Sequence, residues 1–302
     1  MTRVRRSHPP TLLKIVERTL KTECRLPTGA GILLGVSGGG DSQALLHVLA
    51  RLAPRLGFAL FAHGVDHGLR AEAPAELDLC EALARREAIP FGRSRISLAP
   101  GGNLMQRART ARYGELARAG AAFGATFVAT AHHADDRAET VLLRLCRGAG
   151  PRGLAVLAAR ADSLLRPMIR ARRTDVQAHL RRHGLGFATD PTNTSPRFLR
   201  TRVRQELLPL LESISPRIVD HLNALADQLS DPEPPTLQGA DGAAITLGRA
   251  HARALADLLG SRDPKAEIWL PGGRSVRFDP STGTAQVNPA PPRGAAIRRK
   301  SD

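Results

Sequence analysis

A glycine-rich loop is the first group of residues whose types and spacing could do chemistry. Glycines let the backbone turn with positive φ and approach a ligand closely, and the first amides of a following helix attract an anion. Serine hydroxyls add donors to phosphate oxygens, and Asp41 suits a phosphate site as a Mg²⁺ ligand. An ordinary glycine turn with a polar cap is the alternative. The loop comprises Ser37, Gly38, Gly39, Gly40, Asp41 and Ser42.

Two further polar clusters follow apolar runs. Asp66 and His67 open the first of them, which an ordinary polar loop would also explain. In the second, His132, Asp136 and Glu139 are spaced i, i+4 and i+7, which predicts one narrow face of a helix. Paired carboxylates beside a histidine suit proton transfer, although a metal site or a solvated helix face would have the same pattern.

The elements that must position these clusters alternate along the chain. Continuous apolar runs are typical of strands buried on both faces, and amphipathic segments separate them. The pattern predicts an α/β fold with a doubly wound parallel sheet, in which all three polar clusters lie at the carboxyl edge where such sheets bind ligands. The predicted strands cover residues 31–36, 58–65, 91–96 and 126–131, and the helices 11–20, 43–53, 77–88, 103–120 and 135–146.

A second region is expected beyond this sheet. Residues 166–204 are strongly basic and helical in pattern, and they extend a catalytic domain predicted for residues 1–212. Residues 213–302 are expected to hold a helical linker and a small β-containing appendage, with a proline-rich stretch at 231–235 and a disordered tail over 288–302.

Composition narrows the function classes. Of 302 residues, 44 are Lys or Arg and 28 are Asp or Glu, so the net charge is +16, which favours a polyanionic partner such as nucleic acid unless it only reflects codon bias. With 3% aromatic residues, a base-stacking platform is disfavoured. The three cysteines have no Cys-x-x-Cys spacing, which excludes a disulfide framework or zinc knuckle. The sequence contains no signal peptide or membrane span, so a cytoplasmic protein is expected.

The motifs together resemble a known family. The loop is similar to that of the N-type ATP pyrophosphatases, and the other motifs, in their order, resemble those of the tRNA(Ile)-lysidine synthetases. The resemblance covers about residues 31–211 and is weak beyond them, where it rests on residues 270–273. Its motifs lie at residues 65–70, 107–113, 130–140, 147–154, 165–168, 190–193, 200–204 and 208–209.

This resemblance implies a reaction. ATP would adenylate O2 of the wobble cytidine in an isoleucine tRNA with a CAU anticodon, and free L-lysine would displace AMP to give lysidine. It also implies ATP contacts from the residues of the loop and from Asp66 and His67, and Mg²⁺ on Asp41. Asp136 and Glu139 would bind the lysine ammonium, with Asp136 as the first candidate base and His132 as the second. Arg109 and Arg112 would hold the α-phosphate or the anticodon backbone.

The basic stretch is the best candidate for the tRNA backbone, because only Asp175 and Asp190 offset its arginines. Two departures from the family pattern are Arg137, where glutamine is usual, and Thr201, where asparagine is frequent. A PP-loop tRNA sulfur transferase and a non-catalytic RNA-binding relative remain alternatives, and the sequence does not indicate an oligomeric state.

Overall fold

The computed structural model divides the chain into two compact units, residues 1–230 and 231–302. The predicted proline-rich stretch, the motif at 190–193, the residues Leu69, Arg70 and Arg197, the turn at 271–273 and the tail after Asn288 lie outside the described residues. Described are residues 10–68, 72–97, 101–188, 199–230, 236–238, 244–247, 249–270, 274–282 and 284–288.

The first unit is built on a six-stranded sheet. Its strands are β1 (Gly31–Val36), β2 (Ala59–Asp66), β3 (Phe91–Arg95), β4 (Phe127–Ala129), β5 (Arg160–Ala161) and β6 (Leu164–Leu165). The order is β3-β2-β1-β4-β6-β5, with β5 antiparallel to β6 and the other pairs parallel. Because β1 pairs with β2 on one side and β4 on the other, the strand order reverses there and opens a crevice at the carboxyl edge. The predicted α/β fold is confirmed.

Helices cover the sheet on both faces. Helix α2 packs against β1, β2, α1, α3 and α7, and most of its side chains from Ser42 to Leu49 are buried, so it is the central helix of the core. The helices are α1 (Leu12–Thr22), α2 (Gly40–Leu56), α3 (Ala73–Arg86), α4 (Leu104–Ala122), α5 (Ala134–Leu145), α6 (Pro151–Leu154), α7 (Arg173–His183), α8 (Leu199–Arg202), α9 (Leu208–Ile214) and α10 (Ile218–Ser230), with a π-helical turn, Val203–Leu207, between α8 and α9.

The helical pattern predicted over residues 166–204 is wrong at its start. Residues 166–172 form turns between β6 and α7. Pro167 has no N–H to donate and keeps the preceding Arg166 out of helical geometry. A backbone bond from the Arg166 N–H to the Ala159 oxygen, 2.8 Å long, fixes this segment beside the short hairpin instead.

Helix α10 belongs to the first unit, so the division falls after Ser230 rather than at the predicted residue 212. Arg137 of α5 is 1% exposed, and its guanidinium pairs with Asp227 of α10 at 2.6 Å. Asn223 of α10 also donates to the Ala134 oxygen at the start of α5, at 2.9 Å. Arg137 therefore fixes α10 to α5 through contacts that span about 90 residues of sequence.

The second unit has a small core of its own. Strands β7 (Thr236–Gln238) and β8 (Ala244–Thr246) form an antiparallel pair, and β9 (Glu267–Trp269), β10 (Ser275–Asp279) and β11 (Thr284–Asn288) form an antiparallel sheet. Helix α11 (Arg249–Ser261) packs on β9 and β10. The predicted β-containing appendage is confirmed. Across the ranges described in both units, no helix combines the length and apolar character needed to cross a membrane.

Candidate active site

The glycine-rich loop joins β1 to the N-terminus of α2, at the crevice beside β4. Gly38 adopts φ +79°, and its N–H points to the Cys80 sulfur at 3.1 Å. The Ser42 hydroxyl accepts from the Ser37 N–H at 3.3 Å and donates to the Gly39 oxygen at 2.8 Å. Ser42 therefore holds the loop in shape, whereas the Ser37 side chain is exposed.

Helix α5 begins beside this loop at Ala134, one residue before its predicted start. His133 is the N-cap in extended conformation, with φ −121° and ψ 179°. Its Nδ1 accepts from the Asp136 N–H at 3.4 Å, and the Asp136 carboxylate accepts from the His133 N–H at 3.1 Å. This capping box closes the N-terminus of the helix, so that its first residue is Ala134. The prediction that His132 shares a helix face with Asp136 and Glu139 is therefore wrong.

His132 nevertheless lies close to the same carboxylate. Its Nδ1 is 2.9 Å from the Thr130 hydroxyl. Burial, together with the positive charges of Arg166, Arg109 and Arg112, lowers the pKa of His132 to about 4, while Asp136 acts in the opposite direction. The ring is therefore neutral at pH 7, and it is a weaker base than an exposed histidine.

Asp41 and Asp136 converge on one imidazole. The His133 Nε2 lies 3.7 Å from Asp41 Oδ2 and 3.5 Å from Asp136 Oδ2. Nδ1 accepts from the Asp136 N–H, so Nε2 is the ring nitrogen that faces the two carboxylates. Lost hydration raises the pKa of Asp41, and the charge of Asp136 adds to the rise. Two neighbouring carboxylates are the donor set that a hard divalent cation prefers.

Burial by itself would raise the pKa of Asp136, yet the net shift is downward. His133, His132, the hydrogen bond from the His133 N–H and Arg200 all favour the charged carboxylate. Asp136 is thus held as an anion at the N-terminus of α5, where the helix dipole also favours negative charge.

Glu139 lies one turn further along α5 and is fully buried, with three guanidinium groups around it. Arg204 donates to both carboxylate oxygens at 2.6 and 2.9 Å, Arg173 to Oε1 at 3.0 Å and Arg200 to Oε2 at 3.3 Å. Arg204 and Arg200 also approach Asp136 Oδ1, at 3.4 and 3.8 Å. Glu139 therefore orients arginines around Asp136, and its oxygens are already bonded.

The end of β2 contributes a third edge of the crevice. Asp66 is 9% exposed, and its Oδ1 accepts from the Gly68 N–H at 2.8 Å, which makes a tight turn after the strand. Its second oxygen faces Arg95 at 3.6 Å. His67 follows directly in this turn. A small cavity beside Asp66 is lined by Pro74, Leu77, Arg93, Ser94 and Arg95.

Helix α4 brings Arg109 and Arg112 to the His132 side of the site, since both lower the pKa of that ring. Their guanidinium carbons each lie 5.5 Å from the centre of the Tyr113 ring. Within the described ranges neither guanidinium has an acidic partner, and the Tyr113 hydroxyl is buried without a hydrogen bond. These two cations are therefore available to an anionic ligand.

Comparisons with known proteins identify the family of this chain. Residues 12–211 match the family model of a PP-loop domain. The tRNA(Ile)-lysidine synthase of Thermobifida fusca is 37% identical over 246 residues, which cover 80% of this chain and 76% of that protein. The chain belongs to the PP-loop family of the tRNA(Ile)-lysidine synthases.

Other relatives differ in length or in sequence. The tRNA(Ile)-lysidine synthase of Symbiobacterium thermophilum is 42% identical over 218 residues, 68% of this chain, but the chain spans only 45% of its length. A solved structure of a U34-tRNA thiolase from Methanococcus maripaludis has a TM-score of 0.61 at 18% identity, covering 72% of this chain and 78% of that one. This second likeness shows a shared fold.

In this lysidine synthase family member, the basic stretch is not the free cationic face that its sequence predicts. Most of its arginines bond to carboxylates or carbonyls of the first unit, because α7, α8 and the π-helical turn pack around α5. Arg181 and Arg182 of α7 are exposed and, among the described residues, have no acidic partner. The bonded arginines and their partners are Arg166 with Ala158, Arg170 with Glu23 and Asp227, Arg172 with Asp135 and Glu212, Arg173, Arg200 and Arg204 with Glu139, and Arg202 with Glu206.

The sequence analysis missed the arginines as members of the site. Arg200 and Arg204 have the i, i+4 spacing of a single helix face, which was the available signal. Asp135 was also missed: its carboxylate accepts from the Arg173 N–H at 2.7 Å and so joins the starts of α5 and α7. Thr201, one of the two departures from the family pattern, is buried in α8 and makes no hydrogen bond to these carboxylates among the described residues.

Proposed function

We propose that this protein joins lysine to C2 of the wobble cytidine of isoleucine tRNA with a CAU anticodon, and converts ATP to AMP and pyrophosphate. The observation that carries the proposal is the pairing, at the sheet's reversal point, of the glycine loop with the acidic N-terminus of α5. The glycine loop suits an anionic leaving group, and the acidic N-terminus of α5 suits a substrate that arrives as a cation. The named relatives supply the choice of tRNA and amino acid.

In the first step, O2 of the cytidine attacks the α-phosphorus of ATP and pyrophosphate leaves. The amides at the N-terminus of α2 and the exposed Ser37 hydroxyl bind the pyrophosphate oxygens. Asp41, in the first turn of α2, is the residue that would hold Mg²⁺. When bound, the cation offsets negative charge on the phosphates. The nucleoside of ATP would then bind at the end of β2, beside Asp66, His67 and the small cavity.

In the second step, the lysine ε-amine attacks C2 and the C2–O bond to AMP breaks. The free ammonium has a pKa of about 10.4, so it must lose a proton to react. Asp136 binds the ammonium as a carboxylate and accepts the proton that the nitrogen must lose before its lone pair can attack C2. His132 is neutral at pH 7 and offers no negative charge to bind the ammonium, so it is the second candidate base. Glu139 positions the arginines and does not bind lysine.

The tRNA backbone binds to arginines without carboxylate partners. Arg109 and Arg112 are beside the site, where they hold the α-phosphate or the phosphates of the anticodon. Arg181 and Arg182 extend the cationic surface along α7. Each phosphate contact releases counterions, so affinity for tRNA falls as salt is raised.

A change within the loop tests its role in binding ATP. A Cβ at Gly38 would lie 2.7 Å from the Glu76 backbone oxygen, and its φ of +79° disfavours any L side chain. Gly38→Ala is expected to lower ATP affinity by about 100-fold, since strain and displacement of the loop together cost about 2–3 kcal/mol. Equilibrium binding of a labelled ATP analogue measures this.

Gly39→Ala is the matched control. Its Cβ would meet only the Ser37 hydroxyl oxygen, at 3.8 Å, and its φ is −69°. Affinity within about 3-fold of the native protein is expected. Equal affinities of the two variants would contradict the assignment of this loop to ATP.

The proposed reaction is tested with purified protein, labelled lysine, ATP and a CAU-anticodon isoleucine tRNA transcript. Label incorporated into RNA and equal release of AMP and pyrophosphate are expected. An isoleucine tRNA transcript whose anticodon begins with G is the control, and it should take up no lysine. Failure of lysine transfer to the CAU transcript, with every component present, would reject the proposal. Replacement of lysine by a sulfur donor in the same assay tests the sulfur transferase alternative.

A further inference from the structure

Three histidines meet on the side of α2 that faces α7. His47 lies in α2, and His179 and His183 lie one turn apart on α7. One ligand nitrogen from each ring lies within 4.8 Å of the other two. The rings are in mutual contact, with centroid separations of 5.0, 4.6 and 4.5 Å. None of these residues belongs to the nucleotide or lysine side of the crevice.

The distances between the ring nitrogens are close to those between the ligands of a bound metal ion. The His47 Nδ1 and His179 Nε2 are hydrogen-bonded at 3.0 Å, a bond that an ion between them would replace. Around tetrahedral Zn²⁺, with Zn–N bonds of about 2.0–2.1 Å, ligand nitrogens are about 3.4 Å apart. Ring movements of about 1 Å would bring all three nitrogens onto one ion. His47 and His179 are buried, and the exposed His183 leaves a route for the metal and a fourth position for water.

The surroundings of His47 add a second, independent feature of metal sites. Its other ring nitrogen, Nε2, faces Glu87 Oε1 at 4.0 Å. A carboxylate behind the outer nitrogen of a ligating histidine fixes the ring orientation and makes the ligand more basic. Glu87 also pairs with Arg51 and Arg86, which hold it at the end of α3.

We propose that His47, His179 and His183 bind one Zn²⁺ ion, which ties α2 to α7. Imidazole ligands favour zinc and similar transition metals over Mg²⁺, so this site is chemically distinct from the carboxylates of Asp41 and Asp136. The role is structural.

The two helices that the ion would join both begin at the active site. Helix α2 starts at the glycine loop, seven residues or about 10 Å before His47. Helix α7 starts at Arg173, whose guanidinium bonds to Glu139. An ion between the helices thus stabilises the loop and the arginines relative to each other, without contact to substrate.

The test uses the full chain without a polyhistidine tag, stripped with a chelator and dialysed against zinc in the presence of millimolar Mg²⁺. One zinc per chain is expected by elemental analysis, with an increase in Tm. Co²⁺ in place of zinc should give the intense visible absorption of a four-coordinate ion. A wild-type chain that binds no stoichiometric zinc would overturn the proposal.

His183→Ala is the decisive variant, because an exposed side chain can be removed without damage to the core. Its zinc affinity should fall at least about 100-fold, and zinc should no longer raise its Tm. His221→Ala, at another exposed histidine, is the control and should behave as wild type. Circular dichroism without zinc should be the same for all three proteins. Equal zinc affinity of His183→Ala and wild type would overturn the proposal.

Glu87→Gln tests the outer carboxylate. It retains the shape of the side chain and removes its charge, so zinc affinity should fall about 10-fold while the stoichiometry stays at one.

Discussion

Replacing Asp136 by asparagine is expected to lower the rate of lysine transfer about 10³-fold. The asparagine oxygen can still accept from the His133 N–H, so the cap of α5 is kept. What is lost is the negative charge that binds the ammonium and accepts its proton. Single-turnover transfer of labelled lysine measures the rate, and filter binding should give a tRNA affinity within about 2-fold of wild type.

Asp175→Asn is the matched control for this change. Asp175 occupies the same position in α7, where its carboxylate accepts from the Arg172 N–H at 2.8 Å. It has no contact with the carboxylates of the site, so transfer within about 2-fold of wild type is expected. If Asp136→Asn retained most of its activity, Asp136 would not be the base, and His132 would be the next residue to change.

Glu139→Gln is expected to lower the free energy of unfolding by about 2–3 kcal/mol. The neutral amide would leave three guanidinium groups in mutual repulsion around a fully buried position. The value is below that of a wholly buried ion pair because the arginines are between 27% and 42% exposed. Urea denaturation measures the loss. Transfer should also slow, because Arg200 and Arg204 are then free to bind Asp136 more tightly.

Glu206→Gln provides the control for this second prediction. Glu206 pairs with Arg202 on the same helical segment, but both side chains are more than half exposed. Its loss should change the free energy of unfolding by less than about 0.5 kcal/mol. Equal destabilisation by the two substitutions would show that the three arginines do not depend on Glu139.

The two departures from the family pattern have different consequences. Arg137 replaces a usual glutamine and is paired with Asp227, which is also paired with Arg170. An arginine buried at this position needs an acid on α10, and this chain provides one. No contact of the buried Thr201 explains its presence where asparagine is frequent.

The sheet, the glycine loop and the order of the polar clusters could all be predicted from local sequence patterns. Apolar runs fix which segments are buried strands, and in a parallel sheet the residues after those strands must share one edge. The shared edge of the glycine loop and Asp136 could therefore be predicted from the sequence.

Which charged groups and which rings come into contact depends on how the helices pack, and could not be predicted in this way. His132 lies outside the helix on which it was predicted, because the capping box of His133 and Asp136 starts α5 after it. Glu139 bonds to arginines that are 34 to 65 residues away in the sequence. The rings of His47 and His179 are in contact across a separation of 132 residues. Most of the bonded arginines in the basic stretch, which the sequence predicts to be available to tRNA, are likewise bonded to groups that are distant in the sequence. Helical spacing encodes neighbours within one helix, but ion pairs and ring clusters between helices depend on how those helices pack, which local sequence does not specify.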